Sequence, residues 1–450
     1  MFSSQYYTCM KKFFSARKLQ TKYSMYFKPS YLPHNGAANI LVKSLAEELG
    51  LSLNKKYEII LSSFLAIAKK VNGQAFDWWT GNNNVKLWGL FPHVSNQSVK
   101  EVYKLLKAHD YIGATTDFPN YLIEHMGLGK PNWIKAKRLP KHFLEMATFV
   151  ESNLPYVLVN EPETYENKRA RKNQNRAAPT LGIRQVKHKF GKDYTLAYRP
   201  IKEMNTYWAE HPIYNPIDDE FYSSAKRIFH NGSIKSGGRW YGGWTDFEAD
   251  QRFSFTIDNK PVVHVDVNAM ILCLLSSLTG KPMNMIGVWW DVYQRVVCQI
   301  PNINNARQKV KQVIMELTDS GNPYKSKPSP DNEILSDVEE FIHIRDLCLD
   351  AYPALKCLDK ERLNFTNDLS YHEANVLTET LLRLKQQDIV AYPAHDCVIV
   401  RLGDEFDAME TFKSVFKEYV SSFQDAYVDL DIALTVRFDS SNEMGIQGSF

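Results

Sequence analysis

The sequence predicts an α+β protein, helix-rich in its N-terminal part and built on an antiparallel sheet in its C-terminal part. Three observations carry this. Two β-like runs within 253–267 are joined at Asp258 and Asn259, residue types that favour turns. A second pair, IVAYPAHDCVIVR (389–401), is broken over 393–396. Helical periodicities separate the two hairpins, and hairpin strands interleaved with helices build an antiparallel sheet.

The elements follow in chain order. Residues 1–36 form a basic arm: Lys11, Lys12, Arg17, Lys18, Lys22 and Lys28 all precede the first acidic residue, Glu47. This pattern fits a mitochondrial-type transit peptide, a phosphate-touching arm or a solvated tail. From 37 to about 149 the pattern is helical. EIILSSFLAIAKK (58–70) is an apolar helix whose closing lysines suit the negative end of its dipole. After an aromatic loop over 76–91 comes VSNQSVKEVYKLLKAHDYIG (94–113), with Ser95 or Asn96 as cap and Gly113 just past the end. Val99, Val102, Tyr103 and Leu106 make one face, and Lys100, Lys104 and Lys107 a basic stripe. With a short basic strand over 133–139, the order predicts a winged-helix-like domain at 37–160, its striped helix in or beside a major groove. An amphipathic helix with a solvated lysine face carries the same signature.

Residues 161–220, with NKRARKNQNRAAP (167–179), are basic, polar and poor in apolar groups, and read as a linker or phosphate-contacting loop. From 221 to 450 the chain is mixed. Helices are expected over 221–229, 288–300, 305–317, 331–352, 371–386 and 405–423, and a last alternating strand over 432–438.

Composition sets limits. With 450 residues the chain has room for two or three hydrophobic cores. A net charge of +3 is too small to argue for a nucleic-acid partner by itself, so the distribution of charge has to carry that argument. The six cysteines show no zinc-like spacing and several lie in apolar runs, which predicts a reducing compartment and no structural zinc. No run approaches the ~20 apolar residues of a membrane span. The expected location is cytoplasmic and nucleoid-associated, or mitochondrial if the basic arm is a transit peptide.

Two carboxylates carry the chemistry. Asp266 ends an apolar run, where a carboxylate must be paired, hydrogen-bonded or bound to a cation; as a bland alternative it caps the helix expected over 268–278. Asp396 sits at the turn of the second hairpin. If the two strands are neighbours, the carboxylates meet and call for cations. Two Mg²⁺ ions ~4 Å apart would satisfy them and clamp an in-line phosphoryl transfer. Between them in sequence, Arg307, Lys311 and Met315 recur at i, i+4 and i+8, so one helix face presents two cations and an apolar step for phosphate charge and a base. Lone copies of such signals are common: a second His-Asp stands at His109 and Asp110. His264 and His372 read as structural.

The order and spacing of these residues resemble the palm and fingers of family A DNA polymerases and of the related single-subunit, phage-type RNA polymerases. The likeness spans about 221–438. It falls on Gly238–Arg239, Arg252 and Val265–Asp266, then on Arg307-x₃-Lys311-x₃-Met315, and last on Ala394-His395-Asp396. The stretch RQKVKQVIM is similar to the RNA-polymerase version. The resemblance implies a polymerase-type palm with abbreviated fingers, and implies roles residue by residue. Asp266 and Asp396 would hold two Mg²⁺ ions with help from the Val267 carbonyl. Arg307 and Lys311 would grip the incoming nucleoside triphosphate, with Lys311 in the catalytic set and Met315 under the base. Arg239 would touch the minor groove of a DNA primer–template, and His395 would position the primer end.

The departures from the pattern bear on specificity. Cys397 stands where the DNA polymerases carry an acid. Ile271 occupies the position that screens the sugar 2′-OH, and Asp319 replaces the expected tyrosine. The expected function is therefore nucleotidyl transfer, DNA-directed DNA synthesis first and an RNA-polymerase or primase-type enzyme second. A replication accessory protein is a possible partner. A non-enzymatic replication initiator or DNA-binding regulator, and a two-metal nuclease with more clustered carboxylates, are the rival readings.

Overall fold

The computed structural model of the chain describes residues 27, 29–72, 75–78, 93–114, 133–151, 156–164, 167, 178–267, 269–281, 292–330, 334–358, 365–423 and 434–437. Two compact units divide the chain, Met1–Pro155 and Tyr156–Phe450. Expectations for residues 1–26, for most of 167–179 and for the aromatic loop beyond Trp78 lie outside the described residues.

In the first unit, β1 (Tyr31–Pro33) leads into two helices started by asparagine. Asn35 Oδ1 accepts from the Ala38 amide ahead of Gly36–Glu48, and Asn54 Oδ1 from the Lys56 and Tyr57 amides ahead of Lys55–Val71. The Lys55–Val71 helix is buried on most of its faces, with Ile59, Ile60, Leu61 and Phe64 inaccessible to solvent, so it is the centre of this unit's core. The start of the expected aromatic loop is instead β2 (Ala75–Asp77), and Phe76 and Trp78 are core residues. Ser95 caps Asn96–Ala108 in a reciprocal box with Ser98. That helix turns Val99, Val102 and Leu106 inward and leaves Lys104 and Lys107 exposed, with Lys100 half-buried. β3 (Ile112–Ala114) and β4 (Trp133–Ala136) join β2 in an antiparallel sheet of order β2-β4-β3. A short helix, Lys141–Met146, precedes β5 (Phe149–Glu151), which pairs antiparallel with β1.

The second unit begins earlier than the expected boundary at 160, because β6 (Val157–Val159) runs parallel to a strand of this unit. The expected linker over 161–220 is a correction. Its described part contains a long helix, Ile183–Glu210, broken in conformation at Gly191 (φ 48°, ψ −113°). Val186, Tyr194, Ile201, Met204 and Trp208 are buried at spacings of 8, 7, 3 and 4, a helical stripe hidden among lysines and arginines. β7 (Ile213–Asn215), β8 (Glu220–Tyr222) and β9 (Ala225–Phe229) follow. The helix expected over 221–229 is thus two strands. Burial alternates strictly along Ala225–Phe229, a period of two that Ser223 and Ser224 obscure in sequence.

β10 (Gly237–Gly242) pairs with β9, giving a small sheet of order β10-β9-β6. A one-turn helix, Ala249–Arg252, leads to β11 (Thr256–Ile257) and β12 (Lys260–Val267). Asp258 and Asn259 join these strands, both left-handed (φ 50° and 61°) as a two-residue hairpin turn demands. The helices Met270–Thr279, Gln294–Val297, Ala306–Ser320, Val338–Ala351 and Phe365–Gln386 follow, then β13 (Ala391–Ala394), β14 (Cys397–Arg401), the helix Glu405–Ser421 and β15 (Leu434–Arg437). Within this unit the larger sheet runs β8-β7-β11-β12-β14-β13; β15 pairs with the far half of β12. Of the helix expected over 288–300, only Gln294–Val297 is helical among the described residues. The one expected from 331 starts at Val338, where Asp337 accepts from the Glu340 amide at 2.7 Å. No helix of the described residues is long and apolar enough to cross a membrane.

Candidate functional site

Strand register places the two aspartates at the same end of neighbouring strands. β12 pairs antiparallel with β14, placing Asp266 opposite Cys397, and Ala394 also faces Cys397 across the β13–β14 hairpin. His395 and Asp396 are therefore the whole of a two-residue turn, with His395 left-handed at φ 59°. Asp396 is the second residue of that turn and directly precedes the partner of Asp266, so both lie at one end of adjacent strands. The cap alternative for Asp266 fails: Ala269 holds the cap position of Met270–Thr279, and no side chain caps it.

Two tryptophans hold this hairpin from outside. β13 is the edge of the sheet, and its outward carbonyls at Ala391 and Pro393 need donors from elsewhere. Trp208 Nε1 donates to the Ala391 oxygen at 2.9 Å and Trp244 Nε1 to the Pro393 oxygen at 2.7 Å. Pro393 has no N–H to leave unpaired on that side, which suits an edge strand. Between the indoles lies Tyr392, stacked on Trp208 at 4.9 Å and edge-on to Trp244 at 4.7 Å, its hydroxyl donating to the His211 oxygen at 2.6 Å.

Around Asp396 stand two arginines and a third carboxylate. Glu373, on Phe365–Gln386, is 1% exposed in its side chain and accepts from Arg239 Nε and Nη2 at 2.8 and 2.9 Å. Burial pushes the Glu373 carboxyl up to about 7 against the pull of Arg239, and the charge of Asp396 adds to the rise. Burial also works against the Arg239 charge, but Glu373, then Tyr241 and Asp396, more than offset it and hold the guanidinium above its ordinary range. The two partners thus pull in different directions; the bidentate geometry is that of an ionised carboxylate, so at neutral pH we take the pair as charged. Arg252 is 5% exposed, donates through Nη1 to the Phe247 oxygen at 2.5 Å, and is lowered by burial against the charges of Cys397 and Asp396. His395 is exposed; partial burial of its ring and the charges of Arg239 and Arg252 lower it, with Asp396 opposing. Asp396 itself is half-buried and makes no hydrogen bond or ion pair among the described residues.

Glu373 escaped sequence reasoning. The signal was present: it stands at i and Leu377 and Leu381 at i+4 and i+8, so a carboxylate interrupts the buried stripe of that helix. A second buried cation, Arg227, is 3% exposed and lowered to about 10 by burial. It lies over the rings of Phe229 and Trp240 and donates to the Gly238 oxygen and Asn375 Oδ1.

The remaining expected residues lie further out. Arg307, Lys311 and Met315 share one exposed face of Ala306–Ser320, as their spacing requires, and Asp319 continues it. The Arg307 guanidinium lies 5.2 Å from the Tyr293 ring centroid, and Lys311 has no ion pair among the described residues. This helix packs on Phe365–Gln386, the helix that carries Glu373. Val267 is buried and Ile271 half-buried against the core. Lys100, Lys104 and Lys107 belong to the other unit.

No family model matches this sequence, and no curated protein does. Among solved structures the chain is similar to the POL domain of Pol1 from M. smegmatis in complex with DNA primer-template and dNTP, at 10% identity and a TM-score of 0.32, over 89% of this chain and 80% of that one. So loose a likeness leaves the functional reading to rest on the site itself.

Proposed function

We propose that the chain is a nucleotidyltransferase, a DNA-directed DNA polymerase in the first instance, extending a primer 3′ end from nucleoside triphosphates. The observation that supports this is the β12–β14 register, which pairs Asp266 with Cys397, the residue after Asp396, while Asp396 makes no hydrogen bond or ion pair among the described residues. The donor set fits Mg²⁺. It consists of carboxylate oxygens and a backbone carbonyl, hard ligands of the kind this ion takes one or two at a time together with substrate phosphates. Among the described residues no group of three or more His, Cys, Asp or Glu side chains is placed to hold a metal; the ligands we assign are the two aspartates and the Val267 carbonyl. Two Mg²⁺ ions, when bound, would lower the pKa of the attacking hydroxyl and stabilise charge on the transferred phosphoryl group.

The chain's own residues do the rest. Arg307 and Lys311 neutralise the triphosphate from the exposed face of their helix, and Met315 gives an apolar step for the base. Arg239, with two of its nitrogens committed to Glu373, has Nη1 left to address a primer–template. His395, exposed at the turn, positions the primer end. In the first unit the Asn96–Ala108 helix and the β2-β4-β3 sheet act as a winged-helix-like module, its Lys100, Lys104 and Lys107 contacting DNA phosphates. Ile271 and Asp319 keep an RNA-synthesising or priming enzyme as the second reading.

The test is extension of a labelled primer on a template with Mg²⁺ and either dNTPs or rNTPs, beside Asp396→Asn. Extension by the wild type that the variant lacks supports the proposal. No extension with either set, or equal extension by Asp396→Asn, overturns it.

A further inference from the structure

Two guanidinium groups lie within electrostatic reach of Asp396, and each is held by something else. The Arg252 guanidinium donates to the Phe247 carbonyl of its own loop. Arg239 is held by Glu373, which is almost fully buried and has Arg239 as its ion-pair partner. The charge of Asp396 acts on both members of that pair, yet no ion pair within 4 Å joins Asp396 to Arg239. The choice matters chemically. A bidentate arginine occupies the same carboxylate oxygens that a divalent cation would use, so an Arg239–Asp396 pair and a metal on Asp396 exclude one another. Arg239 is only partly buried, with 37% of its side chain exposed, and has the length and freedom to change partners once Glu373 is gone.

We infer that Glu373 is a positioning residue of the candidate metal site: it retains the Arg239 guanidinium in a bidentate pair and so keeps it off Asp396, which stays open to a divalent cation. This rests on the reading of Asp266 and Asp396 as metal ligands. It assigns Glu373 no contact with substrate. Its effect passes through Arg239, so removing Arg239 as well undoes the loss of Glu373.

The test is Mn²⁺ binding to the full chain, followed by the electron paramagnetic resonance signal of free Mn²⁺, with no nucleotide or DNA present. Wild type, Asp396→Asn, Glu373→Gln, Arg239→Met and the double variant Arg239→Met/Glu373→Gln are compared. Asp396→Asn should abolish the site. Glu373→Gln should weaken binding by about tenfold, the lower end of the usual effect of an outer-sphere partner. The double variant should return to within about twofold of wild type, and Arg239→Met alone should bind no more weakly than wild type. Because the loss of a negative charge also weakens the attraction of Mn²⁺ through space, the Glu373→Gln deficit is remeasured at ~0.5 M salt, where long-range fields are screened and a direct pair persists.

Unchanged binding in Glu373→Gln overturns the inference, as does a double variant no better than Glu373→Gln, a weakened Arg239→Met, or a deficit that salt removes. Should Glu373→Gln fail to fold, Glu373→Met takes its place in the single and double variants, since it too removes the acceptors that hold Arg239. Absence of any Asp396-dependent Mn²⁺ binding in the wild type overturns the metal reading itself. That result is distinct from Asp396-dependent binding that Glu373→Gln leaves untouched.

Discussion

Replacing Trp208 by phenylalanine tests how the hairpin bearing Asp396 is held. The indole is fully buried, its Nε1 donates to the Ala391 carbonyl at 2.9 Å, and its ring stacks on Tyr392 with a 15° tilt. Phenylalanine keeps a stacked ring but takes the donor away. The outward carbonyl of Ala391, a residue with no solvent exposure, is then unsatisfied, at a cost of about 1–3 kcal/mol. Losing roughly 40 Å² of buried ring adds about 1 kcal/mol at ~25 cal/mol per Å². The sum is about 2–4 kcal/mol. In urea this lowers the unfolding midpoint of the second unit by about 1 M for a slope of ~3 kcal/mol/M. The assay is urea unfolding followed by near-ultraviolet circular dichroism, with Trp244→Phe in parallel. The double variant should lose less than the sum of the two, because both rings contact Tyr392. A midpoint within ~0.2 M of wild type would refute the reasoning, since it would mean that the Ala391 carbonyl does not depend on Trp208.

Three further outcomes are expected. Under native conditions a thiol reagent should label Cys298 and Cys357, which are exposed, and spare Cys273, Cys348 and Cys397, which are buried; burial also pushes the Cys273 thiol up to about 12, and peptide mapping of the adducts checks the pattern. His372 accepts or donates at Nδ1 to the Tyr419 hydroxyl at 3.0 Å and has its pKa lowered by burial, so the folded chain favours the neutral ring. The unfolded state then binds more protons between the lowered value and 6.5, and stability falls as pH drops below about 6.5; His372→Gln should lose less than wild type between pH 7.5 and 5.5 when unfolding midpoints are compared. Gly243→Ala should destabilise the second unit by about 1–3 kcal/mol, because a Cβ there would lie 2.1 Å from ring atoms of Tyr222, and a lowered melting temperature measures it.

Much of this protein was legible in its residues. The Asp258 and Asn259 turn, the hairpin ending at His395 and Asp396, the cap at Ser95 and the face of Arg307, Lys311 and Met315 all depend on contacts a few residues apart, so local sequence decides them. The errors have the same origin. The Ile183–Glu210 helix looked like a linker because its buried positions are spread among charges, and Ala225–Phe229 looked helical because the alternation runs for only five residues.

What only tertiary structure decided is partnership. Sequence could place one aspartate at a strand end and another in a turn 130 positions later, but strand order and register put Asp266 across from Cys397. It could supply Arg239 as a cation, yet Glu373, 134 positions away on a different element, determines where that cation points. Both pairings cross long stretches of chain, and hydrophobic periodicity carries no information about which buried strand or helix a charged side chain will meet.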